Sequence, residues 1–412
     1  MLVSFDDLLN LPQVRVVDAQ LTKTEITLQV EHSQHFAICH KCGARATEFF
    51  RNGEKLVLRH LPIFNRPVFL VLQTKRYRCL HCGGDTTTTQ QGDWYDAQAH
   101  CTKAFAEFLL LELVNSTISD VTSKHQVSYD LLRGVLMRYV AGEADWSQFD
   151  RLKVLGLDEI SLLKGRKDFV TIVSAQDEVG QPVVLAVLKG REKKTVVEFL
   201  QSIPEHLRAT IEQACTDLYD GFANAIKEVL PQVKLVADRF HVAKLYRAAV
   251  DDLRKQEMKE LKKILRKEQY AGLKGVMWKL RRNFDDLSEE DRQLLELLFE
   301  CSPALRQAHA LREKLTAIFE QKLSKAEATR LILAWAEEAK QSGLTCFDKF
   351  LGTLENWLEE ISNYFISRLS SGWVEGLNNK IKVLKRRCYG LSNIGNLFRR
   401  ICLDLKGRAA FA

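Results

Sequence analysis

The 412-residue chain predicts an α/β multidomain protein, and three observations carry that expectation. Two Cys-x-x-Cys pairs sit in β-patterned sequence near the start; a block from Arg151 sets short β-rich runs before alternating helix and strand; and more than a hundred residues after Leu245 are helical and laced with charge. The order of these patterns gives five segments. Residues 1–100 form a small zinc-binding β module, 101–148 a helix-turn-helix, and 149–250 the first part of a mixed-sheet core. Residues 251–365 form an all-α insertion that interrupts the core, and 366–412 its second part with basic C-terminal helices.

Composition allows this. With 46% hydrophobic residues the chain can bury a sizeable core, and at roughly 100 to 200 residues per domain it holds two to four domains. Sixty Lys and Arg against 53 Asp and Glu give +7, a modest excess that by itself selects no partner. Clustering says more: Lys380, Lys382, Lys385, Arg386, Arg387, Arg399, Arg400, Lys406 and Arg408 crowd the end of the chain, as a phosphate-binding segment would. The opening MLVSFDDLLN lacks the sections of a secretory signal, and no apolar run approaches the ~18 residues of a membrane helix. No membrane partner and a cytoplasmic location are expected.

The cysteine pairs are Cys39 with Cys42 and Cys79 with Cys82. In FAICHKCG and VLQTKRYRCLHCGG each pair follows a β-rich stretch and precedes Gly, so each reads as a strand running into a knuckle that aims two thiolates at one point. Four thiolates complete a tetrahedral zinc site with no open position, which folds a module rather than catalysing a reaction. The alternative is that the thiols are merely buried or redox-active. The pairs are 79 − 42 = 37 positions apart, and the intervening LVLRHLPIFNRPVFLVLQTKRYR alternates like hairpin strands, giving a ribbon with an extended hairpin.

From Lys103 the period turns helical. KAFAEFLLLELV, TISDVTSKHQV and SYDLLRGVLMRYV read as three helices, the last capped by Ser128. In a helix-turn-helix the last helix enters the major groove, placing Ser128, Tyr129 and Arg133 near bases and Lys124 and His125 near the backbone. A three-helix packing module with no DNA role has the same periodicity.

In the core, LKVLGLDEISLL, DFVTIVSAQDEVG and QPVVLAVLKG read as three tightly connected strands, followed by alternating helix and strand, a mixed sheet of the RNase H type. Asp158 lies in the first strand after the apolar VLGL, where an unpaired charge is costly unless it holds a metal. Glu159 points to the other face. IEQACTD and VKLVAD read as further strands, so Asp217 ends one of them, while nearby Asp220 reads as the N-cap of the helix DGFANAIKEVL. Asp238 and His241 close the next strand in ADRFHV; the histidine either orders the site or sits satisfied in the core. Glu375, in SSGWVEGLNNKIKVLKRRCYG, falls on the first turn of a helix with a basic face, among Gly372, Asn378 and Asn379. Three carboxylates suit a pair of magnesium ions, hard cations that take oxygen ligands and leave positions for phosphate oxygens. The separations 217 − 158 = 59 and 375 − 217 = 158 leave room for a large insertion between the last two acids.

GLDE at Asp158, the spacing from Asp217 to ADRFHV, EGLNNKIK at Glu375, the knuckles and the helix-turn-helix together resemble the transposases of bacterial insertion sequences of the ISL-three family, over nearly the whole chain. That resemblance implies a DDE transposase with an RNase H-like core, a helical insertion and catalytic Mg2+ or Mn2+ beside the structural Zn2+. The triad falls on Asp158, Asp217 and Glu375, with Asp238 and His241 at the family's Asp-x-x-His signature. It further implies double-stranded DNA as partner (element ends and target), a nucleoid-associated location, and a homo-oligomer of at least two chains at synapsis. Related enzymes with helical inserts use aromatic residues there to hold a flipped base, and Trp278, by its basic surroundings in GVMWKLRRNF, is the candidate for that role; an aromatic at helical spacing also suits a core. The basic residues Lys380, Lys382, Lys385, Arg386 and Arg387 would meet DNA phosphates. Rival readings are a sequence-specific DNA-binding regulator with a catalytically silent core, a structure-specific nuclease, and a zinc-ribbon scaffold of helices; the last leaves Asp158 unexplained.

Overall fold

The computed structural model describes residues 4–162, 169–369, 372–388 and 393–411, and the chain divides into two compact units. The first takes residues 1–142, 387–389 and 396–412; the second takes 143–386 and 390–395.

The first unit begins with α1 (Phe5–Leu9), β1 (Val14–Leu21) and β2 (Ile26–His32), then the short pair β3 (Ala37–Ile38) and β4 (Arg45–Ala46). A long hairpin follows, β5 (Glu48–Ile63) and β6 (Arg66–Cys79), turning at Phe64 and Asn65 with φ of 48° and 61°, before β7 (Thr86–Thr89). The sheet order is β1-β2-β6-β5 with β7 also on β6. β2 alternates buried and half-buried positions along its whole length, so one row of side chains, Ile26, Leu28 and Val30, meets Leu58, Leu70 and Leu72 in the core.

Three helices follow: α2 (Lys103–Leu113), α3 (Ile118–His125) and α4 (Tyr129–Tyr139). The expected cap is present, for Ser128 Oγ accepts from Leu131 N at 3.2 Å. Gln126, at φ 52°, makes the left-handed turn between α3 and α4. Phe105, Leu109 and Leu113 bury one face of α2 against Val121, Leu132 and Leu136. Arg59 on β5 stacks over Phe69 and Phe105 and donates to the His125 carbonyl at 3.2 Å, fastening the sheet to the helices.

The second unit opens with β8 (Val154–Ser161), β9 (Phe169–Gln176) and β10 (Pro182–Lys189), then α5 (Lys193–Ser202), α6 (Glu205–Arg208), β11 (Gln213–Thr216), α7 (Asp220–Val229) and β12 (Lys234–Ala237). Its sheet order is β10-β9-β8-β11-β12: the first three strands are antiparallel, and β8, β11 and β12 run parallel. This is the RNase H-like arrangement. The strands β9 and β11 are buried almost throughout, as expected of central strands covered on both faces.

The all-α segment comprises α8 (Arg239–Ile264), α9 (Lys267–Gly272), α10 (Val276–Leu280), α11 (Glu289–Cys301), α12 (Pro303–Glu320), α13 (Lys325–Gln341) and α14 (Asp348–Ser367), and it shares one apolar core with the sheet. Both ends of the segment belong to the core layer. α8 starts directly after β12, and Asn363 on α14 donates to the Leu235 carbonyl of β12 at 2.8 Å, so the insertion is more deeply knitted in than bounds of 251–365 imply.

α15 (Gly372–Arg387) carries Glu375, and α16 (Ile394–Phe411) ends the chain. From Asn396 onward α16 belongs to the first unit, whereas the sequence pattern groups 366–412 with the core. The physical reason is Arg400. It is 1% exposed and donates to the carbonyls of Leu113 (3.2 Å) and Ser116 (2.8 Å) at the C-terminal end of α2, where the helix dipole favours a cation. Asp404 receives Asn115 N (3.1 Å) and pairs with Arg387 (3.2 Å). Part of the basic tail is therefore internal scaffolding. Among the described residues no helix is long and apolar enough to cross a membrane.

Candidate active site and zinc centre

The register of the parallel strands assembles the acidic site. Leu157 pairs with Thr216 and Thr216 with Ala237, so the next residues, Asp158, Asp217 and Asp238, stand in one row, Asp158 inside β8 and the other two directly after the carboxyl ends of β11 and β12. Neighbours in one row of a parallel sheet face the same side. Burial is the main cause that raises the pKa of Asp158, and burial followed by the Asp158 charge raises Asp217 to about 6. Two buried carboxylates side by side, one of them raised further by the charge of the other, have a standing electrostatic demand for a cation.

His241, the third residue of α8, meets that demand in part. Its Nδ1 lies 2.8 Å from Asp238 Oδ2, and the Asp238 bond is the main cause that raises its pKa. The imidazolium charge acts on both Asp158 and Asp217. Asp238 also caps α8, accepting from Phe240 N at 2.9 Å. Of the two roles considered for His241, the structure gives it a paired position beside the acids. Asp220 is exposed and is the first residue of α7; Tyr219 occupies the N-cap position, which corrects the capping role read from the sequence. Glu159 points elsewhere and pairs with Arg191 at 3.0 Å, and the Arg191 guanidinium lies over Tyr219.

Glu375 is exposed on the first turn of α15. Three residues on, Asn378 is 1% exposed; its Nδ2 donates to Asp158 Oδ2, while its Oδ1 has no hydrogen-bond partner. The helix can approach β8 because Gly156 has no side chain: a Cβ there would stand 2.6 Å from Val374 Cγ2 and 2.8 Å from the Trp373 ring. Lys385, farther along α15, donates to the Ser161 carbonyl at 2.5 Å. Asn378, named from the sequence only as a neighbour of Glu375, and Gly156, not named at all, are the positions that shape the site around Asp158. Asn378 falls on the buried face of α15 with Val374, Leu377, Ile381 and Leu384, and a polar residue out of that apolar pattern is the signal that could have found the first; nothing local marks the second.

Among the described residues, the only group of three or more His, Cys, Asp or Glu donors lying within 4.8 Å of one another is Cys39, Cys42, Cys79 and Cys82. Asp158 and Asp217 are thus neighbours, but Glu375 does not close on them into a cluster of that size. At the thiol cluster, Cys39 Sγ is 3.9 Å from Cys82 Sγ, and Cys42 Sγ is 3.5 Å from Cys79 Sγ. Backbone N–H groups of Cys42 and Lys41 point at the Cys39 sulfur and hold its pKa down to about 6, the thiolate-favouring geometry of a knuckle. The knuckles come from the β3–β4 turn and from the end of β6, as expected.

The remaining predicted residues are spread over several surfaces. Lys124, Ser128, Tyr129 and Arg133 are exposed on α3 and α4, whereas His125 is held by Glu112 at 3.1 Å and packs on Phe108. Lys380, Lys382 and Arg386 are exposed on α15. Trp278 is 63% exposed on α10 with the Arg281 guanidinium 5.4 Å from its ring, so it is no core aromatic.

Comparison with known proteins decides the family. The ISL3 profile, described as "Transposase", matches residues 155–401, which span the acidic row and α15. The chain belongs to the ISL3 transposase family. A second profile, described as the zinc-finger of transposases IS204/IS1001/IS1096/IS1165, matches residues 35–82 of this transposase. It is 28% identical to the transposase of insertion sequence IS1001 from Bordetella parapertussis, over 93% of this chain and 92% of the relative. It is 25% identical to the transposase of IS1557 from Mycobacterium tuberculosis, over 90% and 86%. The match to the Drosophila P element transposase strand transfer complex covers 74% of this chain and 92% of that chain at 12% identity and a TM-score of 0.42, a partial likeness. The zinc-finger match and the four converging sulfurs together make the N-terminal centre a structural zinc site. The chain is a transposase by family, an enzyme class that cuts and joins DNA.

One consequence of the acidic row is measurable without DNA. Because Asp217 titrates near 6 when folded, against 3.8 for an ordinary aspartate, its neutral form favours the native state. That stabilising contribution is complete below about pH 3.8 and is lost as the pH rises through about 6. In the absence of added divalent metal, Asp217→Asn should therefore stabilise the chain at pH 7.5 by about 1–3 kcal/mol, at ~1.4 kcal/mol per unit. The gain should shrink towards zero at pH 4.5. Urea unfolding at both pH values checks it, and a variant less stable than native at pH 7.5 would contradict the charge-repulsion account.

Proposed function

We propose that this transposase binds the terminal inverted repeats of its insertion sequence, cuts one DNA strand at each end and joins the freed 3′-hydroxyl to a target by a two-metal DDE mechanism. The observation that carries the reading is the row Asp158–Asp217–Asp238 across three parallel strands, with Asp158 raised by burial and Asp217 by burial and the charge of Asp158. Asp158, Asp217 and Glu375 are the ligand set; hard carboxylate oxygens on buried, mutually repelling aspartates fit magnesium or manganese. Bound there, the ions would supply Lewis acidity for the attacking oxygen and the leaving oxygen of an in-line displacement. Asn378 holds the Asp158 carboxylate in position, and Glu375 lies on the same side of α15, three residues before it. Asp238 fixes the His241 ring by its Nδ1, leaving Nε2 for the strand or for a proton.

The helix-turn-helix would read the ends, with Ser128, Tyr129 and Arg133 at bases and Lys124 on the backbone. Lys380, Lys382, Lys385, Arg386 and Arg387 would carry phosphates past the acids, and exposed Trp278 with Arg281 above it would receive an extruded base. Double-stranded DNA is the partner, element ends first and target second, and pairing of two ends calls for at least a dimer. A cleavage and strand-transfer assay with magnesium, on duplexes carrying the element's ends, tests the whole reading. Strand cleavage followed by joined product is expected. Tight end binding without cleavage would replace it by the regulator with a silent core, and cleavage indifferent to end sequence by a nuclease.

A further inference from the structure

Beside the catalytic row, a cavity of about 350 Å3 lies between α8, α10 and α12, within the size range of small-ligand sites. Its walls include Phe240, Lys244, Arg247, Asp251, Arg281 and Arg312. The first four recur at 240, 244, 247 and 251, one face of α8, a helix that begins at the Asp238–His241 pair. Phe240 is an aromatic left 53% exposed, and its ring meets that of His241 edge-on at 5.8 Å.

The charge balance of the cavity is one-sided. Its carboxylate, Asp251, is already shared among Arg254 (2.9 Å), Arg281 (3.1 Å) and Lys255 (3.6 Å). Lys244 and Arg247, both exposed, take part in no ion pair among the described residues. Arg312 is 2% exposed; its terminal nitrogens donate to the carbonyls of Leu280 (3.0 Å) and Arg282 (2.7 Å), and its Nε has no partner. Glu313, at 3.4 Å, is the carboxylate that reaches it. A guanidinium buried with incomplete compensation, facing further unpaired cations, favours an anion. An exposed aromatic beside such cations is the recognition chemistry of single-stranded nucleic acid, with phosphates on the cations and a base on the ring.

We propose that this cavity binds a nucleotide of the single strand that leaves the catalytic row, with its phosphates on Lys244, Arg247 and Arg281 and its base on Phe240. The proposal rests on the catalytic reading of Asp158 and Asp217, and the test separates the two. Binding of a fluorescein-labelled single-stranded oligonucleotide to the full zinc-loaded chain is followed by anisotropy without magnesium, over a salt series. For the double variant Lys244→Ala, Arg247→Ala, affinity should fall about tenfold near 0.1 M salt, and the log K against log salt slope should flatten by about 1.4, at ~0.7 per lost phosphate contact. Phe240→Ala should weaken binding with the slope unchanged. The control Lys259→Ala, Lys262→Ala removes two exposed charges farther along the same helix and should change affinity less than twofold. Equal effects of the two double variants would overturn the proposal, since general electrostatics would then suffice. A nucleoside triphosphate is the second probe. Its binding lost in the cavity variant, with oligonucleotide binding unchanged, would overturn the strand assignment in favour of a free nucleotide. A native chain that binds the strand but never cuts DNA would sink the catalytic reading and leave the cavity's assignment standing.

Discussion

Asp217→Ala should abolish magnesium-dependent strand cleavage, lowering it by about a thousandfold or more, while Asp220→Ala stays within about threefold of the native rate. The magnitude follows from the several kcal/mol of charge stabilisation that a metal supplies to phosphoryl chemistry, at ~1.4 kcal/mol per factor of ten. The contrast follows from geometry. Asp217 stands next to Asp158 in the strand register, is half-buried and feels its charge, whereas Asp220 is exposed at the start of α7. Both variants should bind element-end duplexes like the native chain, because the helix-turn-helix belongs to the other compact unit. Cleavage rates on end duplexes, measured beside end binding, settle it. If Asp220→Ala fails and Asp217→Ala cuts, the ligand set is misassigned; if neither matters, the chemistry lies elsewhere.

How much of this site could be read from the chain depends on whether the signal is local. Asp158 was legible because a charge directly after VLGL violates the apolar pattern of its strand, and the row it joins follows from strands ending at Thr216 and Ala237. The knuckles were legible because their spacing alone brings two thiols together. The sheet of the first unit was less so: β2 alternates strictly and could have been found, but β1 is largely exposed and shows little contrast between its faces. Gly156 and Asn378 act across more than two hundred residues of sequence, where one chain offers no pattern. The basic tail misled by averaging. Arg400 and Lys380 contribute the same charge to composition, yet one is sealed against the end of α2 and the other is exposed on α15. Solvent exposure, not charge, separates scaffold from phosphate binder, and only packing decides it.

Removing zinc should unfold the ribbon while leaving the rest of its sheet standing. The ribbon's own apolar cluster is small, essentially Ala37, Ala46 and Tyr77 around Cys39 and Cys79, and β3 and β4 are two residues each. A two-stranded piece of that size is not stable in water by itself. Zinc bound by four thiolates contributes about 10–16 kcal/mol of apparent binding energy in zinc-finger peptides, which is far more than this cluster can supply. The long hairpin has other support, because Leu28, Leu58, Leu70 and Leu72 are fully or almost fully buried in a separate cluster. The two clusters share β6, which runs from the main sheet directly into Cys79. Loss of the metal should therefore fray β6 from its Cys79 end and stop near Thr74, which is buried and donates to the Glu54 carbonyl at 2.8 Å. A chelator, or Cys79→Ser, should release about one zinc per chain and raise amide exchange at residues 37–46 and 75–79 by at least a hundredfold, with Val68–Leu72 still protected. Exchange unchanged at residues 37–46 would mean that the thiols do not need the metal to hold their places. Exchange lost across the whole sheet would mean that the apolar core depends on zinc as much as the ribbon does. The helices should stay folded through the same event: α2 is tied to β5 through Arg59, outside the frayed region, so the helix-turn-helix should keep its fold after zinc is removed.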